Sequence, residues 1–202
     1  MKLSILIPVY NQERLVIEAL DCLPRRRDIE VLVRDDGSTD NTLANLLAYK
    51  DTHPGLNLRI YSNGVNRGVA FTKNRLLESA SGKYFHIHDS DDHVDMRLYN
   101  TLIDRLDGDV MCMNLIVNNG SILNVTEDTK QLYCAQIARF IRKEFARGIE
   151  FPENVRAGDD WFFSEAILSR NPDTIYTGVP AYHYNYPREG SLCDLRLKGI
   201  LP

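Results

Sequence analysis

The 202-residue sequence predicts an α/β fold: a Rossmann-like, mostly parallel mixed sheet flanked by helices, contained in a single domain. Three observations predict it. Short β-branched runs alternate with segments of helical period through the first half, a polar cluster follows each run, and the length suits one domain of roughly 100–200 residues with a sizeable core. Hydrophobic residues make up 44% and charged residues 26%, the balance of a soluble globular protein. No apolar run approaches the roughly 20 residues of a membrane helix.

Buried strands are expected at residues 3–8, 30–35, 58–62 and 84–88. Residues 1–8 resemble the start of a signal peptide, but the apolar run is short and no small-residue cleavage site follows, so they read as the first strand. Between the strands, Leu15, Val16, Ala19, Leu20 and Leu23 share one helical face, as do Leu43, Leu46 and Leu47, and then Val69, Thr72, Leu76 and Leu77. In the second half Leu98, Leu102, Ile103 and Leu106 mark a further helix. Residues 109–117 read as a strand, with 121–125 pairing back through Asn119-Gly120. Ile137, Ala138, Ile141 and Phe145 suggest another amphipathic helix, and the aromatic segment 176–186 a last strand.

The formal charge of -4 gives no global attraction to nucleic acid or anionic lipid. Arg25-Arg26-Arg27 and the basic run 139–147 are expected to be solvated helix ends. Cys22, Cys112, Cys134 and Cys193 form no Cys-x-x-Cys pair, which leaves no zinc or redox motif and points to a reducing compartment. Asn124-Val125-Thr126 fits a glycosylation pattern by chance, in the absence of a secretion signal.

In parallel sheets ligands bind at the carboxyl ends of the strands, and the polar clusters fall there. Tyr10-Asn11 follows the first strand, residues 35–40 the second, Asn66-Arg67-Gly68 the third, and Asp89-Ser90-Asp91-Asp92 the fourth. The last releases three carboxylates within four residues. Magnesium and manganese prefer oxygen ligands and commonly accept one or two carboxylates plus phosphate oxygens, so the cluster suits a metal-nucleotide complex. A solvated acidic turn explains it alone, but not the convergence of four loops on one rim.

These residues resemble the family 2 glycosyltransferases, with their GT-A nucleotide-sugar-binding fold. The resemblance is carried by Ser4-Ile5-Leu6-Ile7-Pro8-Val9-Tyr10-Asn11, by Val33-Arg34-Asp35-Asp36-Gly37-Ser38-Thr39-Asp40, by Asn66-Arg67-Gly68-Val69-Ala70 with Lys73-Asn74, and by Ala80-Ser81-Gly82-Lys83-Tyr84 leading into the acidic cluster. It implies a nucleotide-sugar-binding half over residues 1–106 and an acceptor-binding half over 107–202. By the same resemblance Asp36 accepts a hydrogen bond from the base, Pro8 and Tyr10 line the base pocket, and Asn66, Gly68, Lys73 and Ser90 belong to the donor site. Asp91 is expected to hold Mn2+ or Mg2+, with Asp89 near the ribose or sugar. A departing nucleoside diphosphate develops negative charge that a divalent cation offsets.

Gly158-Asp159-Asp160-Trp161 resembles the family's Glu-Asp motif, with aspartate where glutamate is usual. Asp160 is then the expected general base toward an acceptor hydroxyl, with Asp159 and Trp161 on the acceptor side. Asp159 or Asp160 also suits a helix cap, and the readings can coexist. Trp161 fits either a sugar platform or the core. His183 is expected at the diphosphate or metal, or as an ordinary histidine. His86 and His88 share a strand face and read as buried, hydrogen-bonded residues. Arg188-Glu189-Gly190-Ser191 resembles the closing segment, whose arginine would meet phosphate. Lys73 stands where arginine is common and cannot reproduce a bidentate fork.

The resemblance therefore implies an inverting, metal-dependent transferase. It would move a sugar from a nucleoside diphosphate donor, a UDP-sugar first among them, to a hydroxyl acceptor. Without a Gln-x-x-Arg-Trp sequence, one addition per encounter is expected. The chain is short for the family, so the acceptor site is expected from residues 114–156, from a partner subunit, or from an exposed substrate such as a glycan, a lipid-linked sugar, a protein or a nucleic-acid base. Oligomerisation stays open, and the location is expected to be cytoplasmic or peripheral at a membrane. Two other classes remain: a catalytically silent nucleotide-sugar-binding module, which would keep Asp36 and Asp91 but lose the base, and a nucleotidyltransferase, whose usual Gly-rich phosphate loop is missing after Ile7.

Overall fold

The computed structural model describes residues 1–129, 136–155 and 158–186. The first half alternates β1 (Leu3–Val9), α1 (Leu15–Asp21), β2 (Ile29–Asp35), α2 (Thr42–Thr52), β3 (Leu58–Ser62), α3 (Val69–Ser79) and β4 (Tyr84–Ile87). Then follow β5 (His93–Val94), α4 (Met96–Asp104), β6 (Val110–Val117), β7 (Ile122–Leu123), a 3-10 turn (Gln136–Ala138), β8 (Arg139–Arg142), α5 (Asp159–Leu168) and β9 (Thr174–Tyr184).

All seven residues of β1 are buried, as a central strand covered on both faces requires. It pairs in parallel with β2 on one side and β4 on the other, and β3 continues beyond β2. The sheet order is β3-β2-β1-β4-β8-β6-β9-β5, with β7 on β6. The chain leaves β1 toward β2 and returns on its other side at β4. That reversal opens a crevice at the carboxyl ends of β1 and β4, where loops can reach a ligand without covering each other.

The core is formed by the buried residues of these strands with Val16, Ala19 and Leu20 from α1, Leu46 and Tyr49 from α2, Leu76 from α3, and Tyr99, Leu102 and Ile103 from α4. Each fully buried aliphatic side chain contributes about 1.5–3 kcal/mol. On α2 the buried face runs through Thr42, Leu46 and Tyr49, while Leu47 is half exposed. The face expected from the leucines was therefore turned, because Tyr49 supplies more apolar surface and its hydroxyl reaches Asp21 Oδ1 at 2.7 Å.

The larger correction falls on the segment around Ile137. It is not a helix: β8 inserts antiparallel between β4 and β6, pairing Phe85 with Ile141 and Met111 with Phe140. Its i, i+4 apolar spacing imitates a helix, but Arg139, Phe140 and Ile141 are all buried, which suits a central strand. Without it, β4 and β6 would face each other with unpaired backbone groups. The basic run was misread for the same reason. Arg139 is 1% exposed, and its Nη1 donates to Ser164 Oγ at 2.8 Å.

Candidate active site

The loops after β1, β2 and β3 form the first part of the site. Asp36 N donates to Val9 O at 2.8 Å, and Asn11 Oδ1 accepts from Thr39 N at 2.8 Å, so the first two loops are stapled together. Gly37 has φ +73, and a Cβ on it would lie 2.4 Å from the Val65 carbonyl carbon. Only glycine lets the second and third loops approach this closely. Asp36 is 4% exposed: Oδ1 accepts from Arg67 N at 2.9 Å and Asn63 Nδ2 at 2.8 Å, and Oδ2 from Gly68 N at 2.9 Å. A carboxylate accepts about four hydrogen bonds, so one position on Oδ2 remains for a ligand N–H. Pro8 is buried at the end of β1, whereas Tyr10, at 42% exposure, and Asn66 are exposed.

Helix α3 carries the second part. Gly68 is its N-cap, and Lys73 lies about 7–8 Å further along the axis. Lys73 Nζ is 2.8 Å from Asp159 Oδ2, with both side chains nearly buried. Burial pulls the Lys73 ammonium down, but Asp159, Asp89 and Asp160 together hold it above its ordinary range. The neighbouring Asn74 donates to Phe151 O at 2.9 Å and accepts from Phe151 N at 2.8 Å. Phe151 stacks on Phe163 with ring centroids 4.1 Å apart. Two consecutive side chains of α3 thus fasten α5 to the sheet. Neither aspartate caps α5: Gly158 is the N-cap, and Asp160 Oδ1 accepts from Trp161 N at 3.0 Å within the first turn. Acidic residues there complement the helix dipole.

The carboxylates converge beside this tie. Lys73, Ile87, Asp89, Gln136, Ile137, Asp160 and Tyr184 line one cavity of about 50 Å³. Burial pushes the Asp89 carboxyl well above the carboxylate range, with Lys73 opposing and Asp91, Asp160 and Asp159 adding to the rise. Burial likewise raises Asp160, against Lys73 and with Asp159. Asp92 is 1% exposed. Its Oδ2 accepts from the Tyr182 hydroxyl at 2.8 Å and its Oδ1 from Asn185 N at 2.7 Å, while the same hydroxyl accepts from Asp89 N at 3.1 Å. Strand β9 therefore clamps the acidic loop. Ser90 is buried within it, and Asp91 is half-buried.

Several placements differ from expectation. Lys73 and Asp159 meet each other, so neither is directed solely at donor or acceptor. Trp161 is 47% exposed and forms an edge contact with Phe162, which removes the core alternative. His183 is exposed and pairs in register with His93. Strand alternation puts it on the face opposite Tyr182, whose hydroxyl meets the acidic loop. His86 is buried and bonded to the Tyr99 hydroxyl and to Ile137 O, as expected. His88 is equally buried, with the Asp92 backbone beside its ring and Tyr182 edge-on to it at 5.3 Å between ring centroids. Residues 188–191 lie outside the described residues. Asp92, Gln136, Tyr182 and Tyr184 were missed; only the third acidic residue of the cluster gave a signal.

Comparison with known proteins gives a consistent pattern. The family model described as glycosyl transferase family 2 matches residues 4–170. The poly(ribitol-phosphate) beta-N-acetylglucosaminyltransferase TarS of Staphylococcus aureus is 28% identical over 94% of this chain and 36% of its own length. The chain thus spans about a third of that relative. A crystal structure of S. aureus TarS 1-349 with UDP-GlcNAc superposes with a TM-score of 0.77 at 26% identity, covering 95% of this chain and 60% of that one. The mannosyltransferase PcManGT from Pyrobaculum calidifontis, in complex with GDP-Man and Mn2+, gives 0.73 at 22% identity over 94% and 58%, a likeness of fold alone.

Proposed function

The chain belongs to glycosyl transferase family 2, with its GT-A fold, and on that premise we propose that it transfers a sugar from a nucleoside diphosphate donor to an acceptor hydroxyl. The single observation that carries this reading is the shared cavity of Asp89 and Asp160, residues 71 positions apart brought to one cavity beside the Lys73–Asp159 tie. The donor is a UDP-sugar, a reading supported by the UDP-GlcNAc complex of the TarS relative. Its base lies over Pro8 and Tyr10, with a ring N–H on the remaining Asp36 position.

The oxygen-only donor set at the end of β4 fits Mg2+ or Mn2+. Among the described residues no group of three or more such side chains forms a cation cage by itself. Asp91, with Asp89 beside it, would hold the ion, which when bound offsets the charge of the departing diphosphate.

Asp160 takes the proton of the acceptor hydroxyl. That oxygen attacks the anomeric carbon as the bond to the β-phosphate oxygen breaks, and the diphosphate leaves with the electron pair. One displacement inverts the configuration. The raised basicity of Asp160 suits proton abstraction near neutral pH. Trp161, exposed beside it, offers a face for the acceptor. Transfer is non-processive. No helix among the described residues is long and apolar enough to cross a membrane.

The test combines transfer and binding. Asp160→Asn is expected to keep UDP-sugar affinity and to lower UDP release in the presence of acceptor by about 10²–10⁴-fold. Unchanged turnover would refute the base. Asp91→Ala is expected to abolish the divalent-ion dependence of UDP binding in calorimetry; retained dependence would put the ion elsewhere.

A further inference from the structure

The cavity between Asp89 and Asp160 contains a polar side chain that the chemistry above leaves unused. Gln136 opens the 3-10 turn before β8 and is 3% exposed, yet among the described residues neither its Oε1 nor its Nε2 has a hydrogen-bond partner. Native interiors leave few such groups, because a buried amide without partners has lost its water and gained nothing in exchange. The turn is fixed on its carboxyl side: Ile137 O is bonded to His86 Nε2 at 2.8 Å, and Arg139 Nη1 to Ser164 Oγ at 2.8 Å. The carboxamide is therefore held at the cavity wall in an unsatisfied state.

Its chemistry narrows what can satisfy it. A phosphate oxygen can satisfy only its Nε2, and a metal ion only its Oε1. A carboxamide presents a donor and an acceptor side by side. The complementary ligand is neutral and also offers both, as do adjacent hydroxyls or an acetamido group on a sugar ring. Lys73, which lines the same cavity, is already paired with Asp159.

We propose that Gln136 reads the transferred sugar, donating through Nε2 and accepting through Oε1 at polar groups on the ring held between Asp89 and Asp160. The assignment rests on the nucleotide-sugar reading of the cleft. A site built to satisfy such a pair rejects analogues that lack it, because binding them leaves the buried amide unpaired. Gln136 is thus a specificity residue, and discrimination among donors resides partly in one side chain on β8's approach.

Calorimetry of the wild type, Gln136→Leu and Gln136→Ala with UDP, UDP-GlcNAc and UDP-glucose in the presence of Mn2+ tests it. Both variants are expected to bind UDP within about twofold of wild type and the preferred UDP-sugar about tenfold or more weakly. Gln136→Leu keeps the volume and removes two unpaired polar atoms, so its Tm is expected to rise by about 2–4 °C. Variants that bind the sugar nucleotide as the wild type does, or that lose UDP and UDP-sugar affinity in equal proportion, would overturn the assignment. A wild-type protein that binds none of the three ligands would bring down the nucleotide-sugar reading and this assignment together, a result visible before any variant is made.

Discussion

Asp92 illustrates how one side chain sets the pH response of the apo site. Burial, with Asp89 and Asp91 adding, pushes its carboxyl up to about 8 from an ordinary 3.8. The folded protein therefore holds a proton that the unfolded chain has released, and stability falls as pH rises through this window. His86 has the opposite sign: burial lowers it to about 4 from 6.5, so its contribution is lost as pH falls from 6.5 to 4. The raised carboxyls of Asp92, Asp89 and Asp160 and the lowered imidazoles of His86 and His88 oppose each other below pH 6.5, and above it the carboxyls alone act, Asp92 furthest into the alkaline range. With chelator present, the Tm is expected to drop as pH rises from 6.5 to 8. Asp92→Asn should remove most of that slope; an unchanged slope would contradict the assignment. The sequence displayed three adjacent carboxylates but not their division of labour, because the partners that distinguish Asp92, Tyr182 and Asn185, lie 90 or more positions away. Gln136 gave no signal at all, since an amide is marked out only by what surrounds it.

Helix α3 joins the two parts of the site, holding Gly68 against Asp36 and Lys73 against α5. The Lys73–Asp159 pair is nearly buried, so removing one partner leaves an uncompensated charge. Lys73→Met is expected to cost about 3–5 kcal/mol in urea denaturation, and adding Asp159→Leu to recover most of it. Equal losses in the single and double variants would mean that the pair does not hold α5. Strands β1 to β4 and helices α1 to α4 were legible because each carries its own period and turn residues. Strand β8 was not, because residues 139–142 take strand form only through β4 and β6, and an isolated Arg-Phe-Ile-Arg has no preference strong enough to reveal that. For His183 the strand was readable, but the face it presents depends on register with β5, which the sequence does not display.

The sheet as a unit explains why distant carboxylates meet. Reversal of the strand order between β1 and β4 opens the crevice, β9 returns beside β6 to clamp the acidic loop, and α5 closes the opposite wall. The acceptor side rests on fewer observations, chiefly the exposed Trp161 and Phe162 next to Asp160. The account depends on a sugar nucleotide spanning this crevice from Asp36 to Asp160. A crystal structure with a UDP-sugar and Mn2+ measures that directly. The predicted result has the base at Asp36, the diphosphate at Asp91, and the Asp160 carboxylate within about 3–3.5 Å of where an attacking oxygen must sit, across the anomeric carbon from the diphosphate. A nucleotide bound elsewhere, or an Asp160 on the same side of the sugar as the diphosphate, would contradict it.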